Sequence, residues 1–223
     1  MSAHAMPRIK ICCISSREEA DLAIAAGASA LGLVSTMPSG PGVIEEALIA
    51  DIAAHVPPPV ATFLLTALQE AEALADQLAR CRATVLQLVD HVPLDELRRL
   101  RSRCPGVKLV QVIHVRDEQS LEEAREVAPL VDALLLDSGN PGLAVKELGG
   151  TGRVHDWTLS RRIRDGVSRP VFLAGGLHAG NVAQAITAVV PFGLDLCSGV
   201  RCQGQLDLGK LNSFMRVVRG VAG

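Results

Sequence analysis

Two side chains of this sequence have the types and positions that proton transfer needs, Cys12 and Asp137. Each closes a short apolar run, 8–14 in the first case and 133–137 in the second. Successive strand residues alternate in direction, so Lys10 shares a side with Cys12 while Ile11 and Cys13 take the other. With Lys10 pointing into a closed fold, its ammonium lies one layer below the thiol and favours a thiolate. Asp137 follows Ala-Leu-Leu-Leu, and an apolar setting raises a carboxyl pKa, which keeps a proton available for donation. A base and an acid poised in opposite senses describe general acid–base chemistry. Position alone leaves plainer readings open: a small buried hydrophobe at 12 and a loop-capping carboxylate at 137.

The stretch 170–200 offers a second kind of chemistry. Twice an apolar run empties into a small-residue turn, first at Ala174-Gly175-Gly176 and then at Cys197-Ser198-Gly199. Glycine has no Cβ to block close approach, so backbone N–H groups in such turns converge on an anion. Either turn alone reads as an ordinary tight turn. Two in succession, late in a repeating strand–helix pattern, read as a phosphate site built from Gly175, Gly176, Ser198 and Gly199.

The elements that position these residues follow from hydrophobic patterning. Short, β-branched-rich apolar runs at 8–14, 30–34, 60–65, 84–89, 108–115, 133–137, 171–174 and 193–197 alternate with amphipathic helical patterns. Near-continuous apolar strands separated by helices predict parallel strands covered on their outer side. The fold class expected is α/β, a single (β/α)8 TIM barrel over 8–223. Helix starts are legible: Ser16-Arg-Glu-Glu19 and Thr66-Ala-Leu-Gln69 read as capping boxes, Pro93 suits a first helical turn, and Asp156 an N-cap. Gly27 stops the first helix, and Val182, Ile186 and Val189 form the inward stripe of the seventh. Two connections are long and rich in turn formers, 35–42 and 138–155, and the second carries Gly149-Gly-Thr-Gly152. Both fall on the C-terminal face, where such barrels hold their chemistry. His91, His114 and His155 also fall near that face, His178 shapes the Gly-Gly turn, and His4 and His55 are expected in solvent.

Composition bounds the rest. At 223 residues, with 48% hydrophobic and 21% charged residues, the chain reads as one compact soluble domain. A formal net charge of −2 and a pI near 6.3 present no basic face to nucleic acid. No apolar run has membrane-spanning length. Residues 1–7 lack a charged start and an apolar stretch, so they read as a frayed or appended N-terminus and not a secretory signal. The expected location is the cytoplasm. Six cysteines without a C-x-x-C pair argue for reduced thiols and no metal site. Oligomeric state is left as monomer or homodimer.

In order along nearly the whole chain, several motifs resemble phosphoribosylanthranilate isomerase of tryptophan biosynthesis. They are Lys10-Ile-Cys12, Leu136-Asp137, Gly149-Gly-Thr-Gly152 with Asp156-Trp157, Leu173-Ala-Gly-Gly-Leu177 with Asn181-Val182, and Ser198-Gly-Val200. The resemblance implies a barrel enzyme that needs no cofactor and performs an Amadori rearrangement on N-(5-phosphoribosyl)anthranilate, a phosphorylated sugar. It further implies Cys12 as general base on the C2′ proton, Asp137 as general acid on the furanose oxygen, and the two glycine turns as the phosphate site. Gly150 is implied as a further substrate contact.

The chain also departs from the pattern of that family. Cys13 stands where the family carries glycine, and Gly42 where it carries an arginine that pairs with the anthranilate carboxylate. Asp90 follows Gln87-Leu-Val in place of a His-Gly ending, and Arg201 replaces a glutamate. Losing that guanidinium is worth about 1.5–3 kcal/mol of binding unless another cation substitutes. Arg201 and Arg153 are the candidates for the substitute. Three functions therefore stand side by side: the isomerase with a relocated carboxylate contact, the same chemistry on another phosphoribosyl amine, and a barrel that binds a sugar phosphate without turnover.

Overall fold

A computed structural model describes residues 6–139, 142, 146, 148 and 152–222. Eight strands alternate with helices: β1 (Arg8–Ile11), α1 (Arg17–Ala26), β2 (Ala30–Val34), α2 (Glu46–His55), β3 (Ala61–Thr66), α3 (Ala71–Cys81), β4 (Val85–Leu88) and α4 (Leu94–Arg103). The second half continues with β5 (Lys108–His114), α5 (Gln119–Val127), β6 (Ala133–Asp137), α6 (Trp157–Gly166), β7 (Val171–Leu173), α7 (Val182–Val189) and β8 (Gly193–Leu196). A small antiparallel hairpin, β9 (Arg201–Cys202) and β10 (Gln205–Leu206), precedes the closing helix α8 (Leu208–Ala222). Strands β1 to β8 pair in sequence order, all parallel, and β8 pairs back onto β1 to close the barrel. The expected TIM barrel is therefore the fold.

Parallel strands covered by helices bury both faces, which is why these runs are apolar without alternation. One set of side chains, Ile9, Ile11, Leu31, Leu33, Leu64 and Leu86 among them, packs outward against the helices. A second set fills the barrel interior, with Phe63, Val85, Val110, Ala133, Leu135 and Phe172 among its members. The Phe63 and Phe172 rings meet edge to face with centroids 6.0 Å apart, a favoured aromatic arrangement.

The interior also holds charge. Lys10 is fully buried, and its Nζ lies 2.8 Å from Asp195 Oδ2 and 5.4 Å from the Phe63 ring centroid. The β1–β8 register places Lys10 directly beside Asp195. Room for this pair comes from Gly32 on β2. A Cβ there would stand 2.8 Å from Cys12 Sγ and 3.0 Å from Lys10 Nζ.

Local signals held unevenly. Ser16 caps α1 by accepting from the Glu19 amide, and Gly27 ends that helix with φ of 107°. Asp156 caps α6 through the Thr158 and Leu159 amides. The second capping box is not formed. Thr66 is the last residue of β3 and its hydroxyl accepts from the Leu68 amide, while α3 begins five residues later at Ala71. The Ala71 amide is met instead by the Glu96 carboxylate, supplied from α4. Strand β1 ends at Ile11 and does not run to 14, because Cys13 turns into the left-handed region with φ of 63°. Pro7 is already buried ahead of β1, and residues 1–5 lie outside the described chain.

Overpacking a rigid interior costs about 1–3 kcal/mol. Gly32→Ala is expected to lower stability by about that amount. The measurement is the urea midpoint, with the denaturant slope unchanged.

Candidate active site

The C-terminal ends of the strands surround an open cavity. Cys12 from the end of β1 and Asp137 from the end of β6 both line it, together with Gln87 of β4 and Asp195 of β8. The wall on the other side carries Gly175, Gly176 and Ser198, so the proposed acid–base pair and the two glycine turns share a mouth.

Three connections meet to build the turn side. A Cβ on Gly199 would approach Leu177 O to 1.9 Å, so the turn after β8 sits directly on the turn after β7. Gly176, with φ of 60°, leaves only 2.8 Å between a would-be Cβ and Gly152 O. Gly152 in turn faces Ser198 Oγ. Glycine is required at 176 and 199 by backbone contact and at 175 by a φ of 81° as well. The Gly175 and Gly176 amides donate to no described residue, which leaves both available to a ligand at the turn. Asn181 clamps the turn from behind, accepting from His178 N and donating to Gly176 O. The His178 ring accepts from Gly180 N, so this histidine does shape the turn.

Asp137 is half-buried and its carboxylate accepts from the Ser138 amide at 2.7 Å. The apolar surroundings expected for it are corrected here: Ser138, His155 and Asp195 stand close by, and two of these are ionisable. His155 is half-buried, with neither ring nitrogen hydrogen-bonded to a described residue, and burial lowers its pKa against the pull of Asp137 and Asp156. His114 ends β5 but its Nε2 is taken by Val89 O, and His91 pairs with Glu123 on the surface. His55 is exposed, as expected, and pairs with Asp21.

Asp195 was not singled out from the sequence, although an acid at the third position of an apolar four-residue strand was a visible signal. Burial pushes its pKa up, Asp137 adds to the effect, and Lys10 opposes it. Burial alone would lower Lys10, but Asp195 and the neighbouring thiols outweigh it and keep the amine protonated.

Cys13 does not face away from Cys12. Its left-handed backbone swings the side chain into the same cavity, and its Sγ lies 2.7 Å from Cys197 Sγ. Gly42 packs on this residue: a Cβ at 42 would stand 2.5 Å from Cys13 Cβ.

Arg201 does not offer a cation to a substrate. It is buried, pairs with Glu19 at 2.8 Å, and donates to the carbonyls of Cys12, Cys13 and Gly204. The second arm of the expected capping box is thereby redirected, since Glu19 turns to Arg201, Ser15 N and Leu206 N. Arg201 thus fixes the backbone that carries Cys12. Arg153 is exposed and contributes its backbone carbonyl to the contact with Gly175 and Gly176, and its side chain is not among those lining the cavity. Gly150 lies outside the described residues, as do Gly149 and Thr151.

Comparison with known proteins follows from this geometry. Residues 9–217 match the family model for N-(5'phosphoribosyl)anthranilate (PRA) isomerase. An N-(5'-phosphoribosyl)anthranilate isomerase of Methanocella arvoryzae is 35% identical over 215 residues, covering 96% of this chain and 99% of the relative. The crystal structure of the Thermotoga maritima phosphoribosyl anthranilate isomerase superposes with a TM-score of 0.82 at 29% identity, over 96% of this chain and all of the other. A phosphoribosyl anthranilate isomerase in complex with reduced 1-(o-carboxyphenylamino)-1-deoxyribulose 5-phosphate gives 0.80 at 27% identity, with 96% of this chain and 100% of that one covered.

Removing one partner of a buried ion pair leaves an uncompensated charge, at a cost of about 3–5 kcal/mol. Lys10→Met is expected to lose that much in chemical denaturation, and Lys10→Met combined with Asp195→Leu to recover most of it. Glu19 gives a separate pH signature. Burial opposes its ionisation, but hydrogen bonds from Arg201, Leu206 and Ser15 hold its pKa below the ordinary 4.5. A depressed folded pKa means the stabilisation is complete above about pH 4.5 and drains away as pH falls through the folded value. Stability measured against pH is expected to show a shallower acid limb in Glu19→Gln than in the wild type.

Proposed function

The chain belongs to the N-(5'-phosphoribosyl)anthranilate isomerase family, an isomerase family of tryptophan biosynthesis, and from that premise we propose the chemistry of its cavity. The reaction is the Amadori rearrangement of N-(5-phosphoribosyl)anthranilate to 1-(2-carboxyphenylamino)-1-deoxyribulose 5-phosphate. The observation that supports it is the shared cavity: a thiol, a carboxyl and two glycine turns face one another across it.

The phosphate anchors the sugar at the turns of Gly175, Gly176, Ser198 and Gly199, three of which carry no Cβ and so let backbone approach closely. Anchoring the distal phosphate fixes the reacting carbons, so most of the orientation is set before chemistry begins. Asp137 then delivers a proton to the furanose ring oxygen. The C1′–O bond breaks, and the nitrogen lone pair forms the open-chain imine. Cys12 takes the proton from C2′, the C1′–C2′ double bond forms as electrons return to the iminium nitrogen, and the enolamine that results becomes the ketone as a proton leaves O2′ and one joins C1′. Lys10, paired with Asp195 one layer below, lies within electrostatic reach of Cys12. Arg201 acts through the Cys12 and Cys13 carbonyls as a positioning residue.

Family membership sets aside the reading as a barrel without turnover. A second substrate reading keeps support from one observation. Among the described residues lining the cavity none is lysine or arginine, and Gly42 stands where the resemblance puts the carboxylate's partner. The same proton transfers on a phosphoribosyl amine without that carboxylate would suit this wall.

Complementation of a tryptophan auxotroph lacking the isomerase tests both. Growth is expected with the wild-type chain and not with Cys12→Ser or Asp137→Asn. In purified protein each substitution is expected to lower kcat by about 10²–10⁴ with binding retained. Wild-type turnover in either variant overturns the assignment of that residue. Failure of the wild type to complement, with sugar-phosphate binding intact, moves the substrate to the second reading.

A further inference from the structure

The Cys13–Cys197 contact has no part in the isomerisation. We propose that these two thiols are a redox modification site: a reversible disulfide across the cavity rim, formed with hydrogen peroxide as oxidant.

Geometry supports the pairing. Cys12 N donates to Leu196 O at 2.7 Å, extending the β1–β8 ladder one step and bringing residues 12 and 13 beside 197. That step sets Cys12 opposite Cys197, and the left-handed turn at Cys13 brings its side chain back to the same residue. The sulfurs are already 2.7 Å apart, so closing to a bond of about 2.05 Å needs only a small approach. Both thiols line the open cavity, which admits an oxidant the size of peroxide. Their chemical roles differ. The hydrogen bond from Cys13, helped by the charges of Arg201 and Lys10, holds the Cys197 thiol below its ordinary pKa against the effect of burial. Cys13 is pushed far the other way by its bonds to Cys12 and Cys197 and by burial. The thiolate is therefore carried by Cys197, and the thiolate is the nucleophile.

The chemistry balances in two steps. The Cys197 thiolate attacks one peroxide oxygen, the O–O bond breaks, and hydroxide leaves, giving a sulfenic acid. Cys13 then attacks that sulfur, its proton joins the departing hydroxide, and the S–S bond forms with release of water. Two thiols are oxidised and one peroxide is reduced to two waters. A dithiol reverses the change by exchange. Closure ties the residue after Cys12 to the residue before Ser198, so it reshapes the base and the phosphate turn together.

The test treats the full-length protein with stoichiometric hydrogen peroxide, alkylates the remaining thiols and maps peptides by mass spectrometry. Reactive thiols are expected to fall from six to four, with residues 13 and 197 in one linked peptide pair, and dithiothreitol restoring all six. Cys13→Ser and Cys197→Ser are each expected to abolish the linkage, and Cys202→Ser, on the exposed hairpin, to leave it intact. Six unmodified thiols, linkage of a different pair, or sulfinic acid at 197 without linkage overturns the proposal. A kinetic arm rests on the function proposed above: turnover is expected to fall at least tenfold on linkage and to return on reduction. Unchanged turnover in fully linked protein overturns the effect on the site. An absence of isomerase activity in the reduced protein counts against the function alone, because peptide mapping needs no substrate.

Discussion

The buried Lys10–Asp195 pair is the constraint around which the cavity is arranged. An ion pair at the centre of a barrel carries a desolvation penalty that apolar residues would avoid, so it is weak evidence for stability in itself. What it does is fix positions. Lys10 reaches Asp195 only with β1 and β8 in their observed register, and that register is the one that closes the barrel. Gly32 yields the space for the amine, and Cys12 sits above it, so one glycine, one cation and one thiol define the cavity floor. Asp195 also stands beside Asp137, which places the pair within electrostatic reach of both proposed proton-transfer groups.

A second ion pair, between half-buried Glu19 and buried Arg201, does for the rim what the first does for the floor. Glu19 and Arg201 come from the first turn of α1 and from β9, and together they gather the carbonyls of Cys12 and Cys13, the amide of Leu206 and the β9–β10 hairpin. The strand ends that carry Cys12 and Ser198 are thereby held by side chains that never face the cavity. This arrangement accounts for an arginine at 201 without assigning it to a substrate.

The barrel and the glycine turns were legible because they depend on local rules: apolar runs at regular spacing, and small residues where backbones must touch. Cys12 and Asp137 were legible from position at strand ends and from the resemblance. The misreadings share a cause. Alternation predicted that Cys13 points away from Cys12, but alternation applies only while the strand continues, and a left-handed residue ends it one position past Cys12. Thr66-Ala-Leu-Gln69 has the spacing of a capping box, yet β3 pairs through Thr66 with β4, and strand pairing overrides a local helix signal. Arg201 looked available for a ligand because its partner, Glu19, lies 182 positions away in sequence. Apolar neighbours in sequence predicted an apolar setting for Asp137, but its polar surroundings come from the connection that follows β6, at Ser138 and His155, and from Asp195 on β8.

The packing of Gly42 on Cys13 bears on how the anthranilate side of such a site changes over evolutionary time. Any side chain at 42 collides with the cysteine at 13, and the glycine at 42 also needs its φ of 77°. The two positions therefore exchange bulk and are not free to mutate independently. An arginine placed at 42 alone meets this block, and emptying position 13 to glycine relieves the contact with its side chain while leaving its Cα 2.9 Å from a Cβ at 42 and the φ of 77° unchanged.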